Sequence, residues 1–124
     1  RTGSFLMVHG GCGSIGCYAM TDPVIDEIWR IVTAALRGGQ ARFQVQVFPF
    51  RMTERNLARH EGSPLAPFWA NLKAGYDLFE AGNIPPRVSV CDRTYAFEAG
   101  QAGYDGSGLV SPGCPGARSV APAP

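Results

Sequence analysis

Four of the nine residues from His9 to Cys17 are glycine, in the run His9-Gly10-Gly11-Cys12-Gly13-Ser14-Ile15-Gly16-Cys17. Each glycine in a helix interior costs about 1 kcal/mol relative to alanine, so this stretch cannot be helical and must turn tightly. It is preceded by Phe5-Leu6-Met7-Val8, uniformly apolar, which reads as a short buried strand. It is followed by Asp22-Pro23, a capping residue and then proline at the first helical position. Ile25, Ile28, Trp29, Val32, Ala35 and Leu36 recur at helical spacing, and Gly38-Gly39 close the pattern. The spacing predicts a helix over 23–37. The glycine run is therefore a strand-to-helix connection, and it carries one histidine and two cysteines.

Further on, Phe43, Val45 and Val47 alternate with Arg42, Gln44 and Gln46, the period of a half-buried strand that Phe48-Pro49-Phe50 would end. Thr53 caps a short helix through Arg59, and His60 reads as its closing residue, where positive charge suits the negative dipole end. Ser63-Pro64 repeats the cap-then-proline signal ahead of Leu65, Phe68, Trp69, Leu72, Tyr76 and Phe79, a helical stripe ended by Gly82. Trp29 and Trp69 lie on these stripes and are expected in the core. Pro85-Pro86 precedes a strand at 88–91, with Tyr95-Ala96-Phe97 as its partner. The last 27 residues hold six glycines, four prolines and few large apolar side chains, so 98–124 is expected to be a disordered tail behind a domain at 1–97. The class is α+β with about three helices.

With 124 residues the chain allows one domain, long enough to bury a core without bridges or metal. A net charge of +1 leaves no basic field for nucleic acid. No apolar run approaches the ~18–20 residues that span a bilayer. The chain opens on Arg1-Thr2-Gly3-Ser4, without Met or a signal-like apolar segment, so an export signal is expected to have been removed or to lie outside it. Cys12, Cys17, Cys91 and Cys114 allow three full pairings.

A thiolate is the reactive form of cysteine, and a histidine nearby can take its proton. Glycines let backbone N–H groups approach a developing oxyanion. His9 ends the strand and Cys17 follows eight residues on, so the loop can fold one onto the other. Three other readings stand beside this one. Either cysteine can be a small apolar filler; His9, Cys12 and Cys17 can offer three zinc ligands, with no local fourth; and Cys12 and Cys17 can form a bridge.

The segment from Val8 to Asp22 resembles the active-site stretch of the L,D-transpeptidase catalytic domain, also called the YkuD domain, in its YafK-like branch. Phe48-Pro49-Phe50-Arg51-Met52-Thr53, Asn56-Leu57, Phe68-Trp69, Leu72-Lys73, Gly75-Tyr76-Asp77 and Phe79-Glu80 match that branch in the same order. The likeness runs from about Phe5 to Phe97. It implies the C-terminal part of a β-sandwich domain whose earlier strands are absent here, within a longer protein. Two features depart from the wider family: Ile15 stands where a histidine is usual, and the loop from His9 to Cys17 is shorter.

The resemblance implies a cysteine acyltransferase acting on peptidoglycan stem peptides, with no cofactor and no metal. Cys17 matches the nucleophile and His9, in the apolar-His-Gly motif with Gly10, the general base. Gly16 and Cys17 match the backbone oxyanion donors, and Ser14 the Ser/Thr position of the motif. Tyr18 and Met20 flank the nucleophile and are candidates for lining the pocket, or for packing. Arg51 could clamp a stem-peptide carboxylate in bidentate fashion; a solvated charge is the competing reading. The expected outcome is transpeptidation, with hydrolysis through the same acyl-enzyme as the alternative, and a non-catalytic wall-binding remnant as the reading from another class. A wall-attached lipoprotein is a further expected partner. The substrate implies the periplasm or cell envelope of a bacterium.

Overall fold

The helical stripe that follows the glycine run forms the first helix, α1 (Asp22–Arg37). Thr21, in extended conformation, is its N-cap, and Pro23 sits in the first turn, where no amide is needed. Asp22 does not cap the helix as the sequence suggested; its carboxylate turns back to the loop, as described below. Gly38 closes α1, its N–H bonded to the Ala34 carbonyl at 2.9 Å. The computed structural model describes residues 6–116. Phe5 and the residues from 117 onward, on which part of the strand and tail expectations rest, lie outside them. The chain divides into two units, Arg1–Ala41 and Arg42–Pro124.

In the N-terminal unit, β1 (Val8–His9) and β2 (Tyr18–Ala19) form a parallel pair ahead of α1. No residue of α1 is fully buried. Trp29 is 67% exposed, which corrects its assignment to the core: a two-residue pair of strands and a glycine loop offer too little surface to cover a helix all along its stripe.

The C-terminal unit begins with the segment expected to be a strand at 42–47. It is extended but not in a ladder, and its alternation is inverted: Phe43, Val45 and Val47 are exposed while Gln44 and Gln46 are half-buried. The glutamines hold it. Gln44 Nε2 donates to the Pro86 carbonyl at 3.0 Å, and Gln46 Nε2 donates to Gln44 Oε1. Next come α2 (Glu54–Arg59), capped by Thr53 Oγ1 accepting from the Asn56 N–H at 3.3 Å, and α3 (Ala66–Gly82). The second helix starts later than the Ser63-Pro64 signal implied. Ser63 Oγ accepts from Leu65 N–H in a preceding turn, and Pro67 is the proline of the first turn. Lys73 joins the helices, paired with Glu54 at 3.1 Å and with Asp77. The hydrogen bond to Asp77, reinforced by Glu54, raises the Lys73 pKa.

The strands β3 (Arg87–Cys91) and β4 (Thr94–Glu98) pair antiparallel with Val88 opposite Phe97. The turn residues Asp92 and Arg93 both have positive φ, 50° and 61°, as a two-residue hairpin loop of right-handed strands requires. A short β5 (Ser111–Pro112) adds parallel to the other edge of β3, giving the order β4-β3-β5. Three helices with small sheets make the α+β class expected from the sequence.

Of the stretch expected to be a tail, residues 98–116 lie among the described ones and make several contacts. Cys91 and Cys114 form a disulfide, and Gly113 N–H donates to the Val90 carbonyl at 2.8 Å. Arg87 lies over the Tyr104 ring, 5.5 Å from its centroid, and Gly106 is buried against Pro85. Cross-links of this kind supply what its low apolar content does not. Among the described residues Met52, at 1% exposure, and Pro86 are the fully buried apolar side chains, so the large core expected for this length is not formed by them.

Two predictions follow from this packing. A Cβ on the buried Gly75 of α3 would lie 2.5 Å from Phe97 Cε1. Alanine gains about 1 kcal/mol of helix propensity there, but overpacking costs about 1–3 kcal/mol. Gly75→Ala should therefore lower stability in urea denaturation; a stabilised variant would contradict the contact. The disulfide closes a loop with a sequence separation of 23. Bridges of such length contribute about 3 kcal/mol. Cys114→Ser should accelerate chymotryptic cleavage at Tyr104, and equal cleavage rates would mean that β5 pairing alone holds the segment.

Candidate active site around Cys17

The parallel register of β1 and β2 decides where the candidate residues lie. Val8 is opposite Tyr18 and His9 opposite Ala19, with Tyr18 N–H bonded to the Met7 carbonyl at 2.8 Å and Met20 N–H to the His9 carbonyl at 2.7 Å. Extending that register places Cys17 beside Met7. Side chains alternate along a strand and match across it, so His9 and Ala19 share one face and Val8 and Tyr18 the other. His9 ends β1 and Cys17 directly precedes β2, both half-buried. By the same alternation Tyr18 and Met20 share the other face, half-buried, which fits the packing reading of these two residues.

The imidazole is oriented by its own backbone. His9 Nδ1 lies 2.6 Å from the Gly10 carbonyl. A carbonyl only accepts, so Nδ1 carries the proton, and in the neutral ring Nε2 is the basic nitrogen. Among the described residues no hydrogen bond joins the ring to Cys17. Such contacts commonly tighten only when substrate is bound.

Ser14 organises the turn that presents the thiol. Its Oγ donates to the Cys17 carbonyl at 2.6 Å and accepts from the Gly16 N–H at 3.1 Å. Between them Gly16 adopts φ +141°, which side chains rarely tolerate, so glycine is required there. Ile15 is fully exposed at the loop's apex. The Gly16 amide, expected as an oxyanion donor, is thus occupied by Ser14 in this state.

The other end of the loop is fixed by a residue the sequence reading assigned elsewhere. Asp22 Oδ1 accepts from the Gly11 N–H at 2.8 Å. A Cβ on Gly10 would meet Asp22 Oδ1 at 2.8 Å and Ile25 Cγ2 at 3.0 Å, so the loop can rest on the first turn of α1 only with glycine there. The cap-like context of Asp22 before Pro23 hid this anchoring role.

Cys12 is exposed and Cys17 half-buried, and both are free thiols, so the Cys12–Cys17 bridge left open by the sequence is not formed. The three cysteine and acidic groups that do cluster, Cys91, Asp92 and Cys114, include both members of the disulfide and offer no thiolate to a metal. Arg51 belongs to the C-terminal unit, where it lines a cavity with Phe48, Phe50, Tyr76 and Glu80.

No family model matches the chain. Over 93 residues, 75% of its length, it is 54% identical to the protein named "Putative L,D-transpeptidase YafK" from Escherichia coli K12, and equally to its counterpart in Escherichia coli O157:H7. The chain is a partial homologue of YafK. It spans 38% of the length of these relatives.

The Ser14 clamp yields a direct test. Ser14→Ala removes two hydrogen bonds, each worth about 1 kcal/mol. Acylation of Cys17 by a carbapenem should slow by about tenfold, with Ser14→Thr close to the parent. Faster acylation of Ser14→Ala would instead mean that the hydroxyl masks the Gly16 amide.

Proposed function

We propose that this chain carries the nucleophile and base of a cysteine-dependent L,D-transpeptidase acting on peptidoglycan stem peptides. The observation that supports the reading is the β1–β2 pairing, in which His9 ends β1 and Cys17 directly precedes β2, with Nδ1 of His9 turned to the Gly10 carbonyl. The kinship with YafK supports the same class of chemistry.

His9 Nε2 takes the proton from Cys17 Sγ, and the thiolate attacks the amide carbonyl at the diaminoacyl residue of the stem. The carbonyl's electron pair moves to its oxygen, which the Cys17 amide holds, joined by the Gly16 amide once Ser14 Oγ releases it. Collapse breaks the C–N bond. The imidazolium returns its proton to the leaving amine and a thioester remains on Cys17. An incoming amine then yields a cross-link or attachment, and water yields cleavage by the same two residues.

This substrate lies outside the cytoplasmic membrane, so the periplasm or cell envelope is the proposed location. The Cys91–Cys114 disulfide suits an oxidising compartment. Among the described residues no helix is long and apolar enough to cross a membrane.

Incubation of the protein with a disaccharide tetrapeptide, with products read by mass, tests the reaction. Cys17→Ala should abolish acyl-enzyme formation and Cys12→Ala should preserve it, while His9→Ala should slow turnover by about 10²–10⁴-fold. Activity that survives in Cys17→Ala and is lost in Cys12→Ala would overturn the assignment. Binding of muropeptide without any acylation of Cys17 would favour a wall-binding role without catalysis.

A further inference from the structure

The hairpin between β3 and β4 sets a carboxylate beside the disulfide. In a regular strand Cys91 and Asp92 would point to opposite faces. Asp92 instead adopts φ 50°, the left-handed turn conformation, and its Oδ2 lies 3.8 Å from Cys91 Sγ. Cys114 follows β5, which pairs with the other edge of β3. Two sulfurs and a carboxylate oxygen therefore lie within 4.8 Å of one another, with Cys91 half-buried and Asp92 and Cys114 exposed. Among the described residues Asp92 has no cation partner; the ion pairs there are those of Lys73.

The backbones that carry the two cysteines are also held by the ladder. Ser89 stands opposite Ser111 and Val90 opposite Pro112, and the Gly113 N–H donates to the Val90 carbonyl at 2.8 Å. In the oxidised form the sulfurs are bonded to each other and carry neither proton nor charge. A dithiol reductant changes this. Its thiolate attacks the exposed Cys114 sulfur, the S–S bond breaks, and Cys91 leaves as a thiolate that takes up a proton. The second thiol of the reductant then closes its own disulfide and frees Cys114, so that two electrons and two protons have passed to the protein. Two thiols and a carboxylate are then confined to one small volume, where each negative charge opposes the next. A divalent cation removes that conflict.

We infer that Cys91, Cys114 and Asp92 form a zinc site when the bridge is reduced. Zinc binds thiolate sulfur at about 2.3 Å and carboxylate oxygen at about 2.0 Å, so tetrahedral ligands of these two kinds stand about 3.5 Å apart. Asp92 Oδ2 is already near that distance from Cys91 Sγ. Two thiolates favour zinc over magnesium or calcium, whose ligands are oxygens. Binding releases the two thiol protons. Water takes the fourth position, since among the described residues no further His, Cys, Asp or Glu joins the cluster. The β3–β5 junction is thus cross-linked in both redox states, by a covalent bond in one and by the metal in the other. The site is independent of the chemistry proposed for Cys17.

The experiment reduces the protein with dithiothreitol, removes the reductant anaerobically and titrates with cobalt(II), whose thiolate charge-transfer absorption reports sulfur ligation. A Cys12→Ser/Cys17→Ser background excludes the two free thiols. The reduced protein should bind one equivalent with this absorption, zinc should displace it, and the oxidised protein should give none. Asp92→Asn and Cys114→Ser should each weaken binding at least about tenfold, no less than the loss of an outer-shell partner costs. Asparagine also favours the left-handed conformation, so oxidised Asp92→Asn should keep the parent's urea midpoint. One equivalent of zinc should slow chymotryptic cleavage of the reduced protein at Tyr104. Absence of the absorption from the reduced background variant, equal absorption in the oxidised protein, or undiminished affinity in Asp92→Asn would overturn the inference.

Discussion

A parallel pairing only two residues long, closed by the loop 10–17, governs the N-terminal unit. Parallel neighbours ordinarily need a connection of about a dozen residues or more, because the chain must return to its starting end. Here the return is made by backbone without bulk. Gly16 takes a φ closed to other residues, Gly10 lies where a Cβ would strike α1, and Ser14 and Asp22 each bind a loop amide. The relation between His9 and Cys17 is therefore a property of backbone geometry. Neither side chain has to hold the other in place, and the Cys17 thiol stays free and half-exposed.

The C-terminal unit rests on a different constraint, the approach of β4 to α3 at Gly75. The missing side chain admits the Phe97 ring, and Val88 opposite Phe97 carries that contact into β3. Once β3 is fixed, its other edge receives β5 and the Cys91–Cys114 bridge. Across the helix pair, Lys73 ties Glu54 of α2 to α3, and so sets the aromatic cluster of Phe50, His60 and Trp69 against the start of the cavity.

Much of this was legible in the sequence where a single element explains its own pattern. The stripe from Ile25 to Leu36, the Thr53 cap and the hairpin around Asp92 and Arg93 need only local rules, and the structure follows them. His60 behaves as a capping residue for the same reason. What failed depends on partners. Alternation at Phe43, Val45 and Val47 states that two faces differ, but not which face is covered, and side-chain amides of Gln44 and Gln46 decided it. The stripe containing Trp29 says that a helix has an apolar side; it does not supply the surface to bury it. Asp22 stands before Pro23 where a cap is expected, but its carboxylate binds the Gly11 amide, a partner the local context does not indicate. The Cys91–Cys114 pairing follows from a parallel strand of two residues, too short for any periodicity to announce.

The four cysteines divide into a closed pair, Cys91 and Cys114, and two free thiols, Cys12 and Cys17, and the proposed function requires that Cys17 stay reduced. Backbone order separates them. The β3–β5 ladder sets Val90 opposite Pro112, so Cys91 and Cys114 arrive with Cα atoms 4.5 Å apart and the bridge seals a contact already made. Cys17 is constrained toward a different neighbour. Its carbonyl is held by Ser14 Oγ, and the following amide is committed to Met7, so its backbone belongs to the start of β2. Cys12 lies outside both bonds, exposed between two glycines. A bridge between them would have to form without disturbing either bond, in a loop already anchored through Gly11 to Asp22. The same clamp that holds the Cys17 backbone thus works against its loss to a neighbouring thiol.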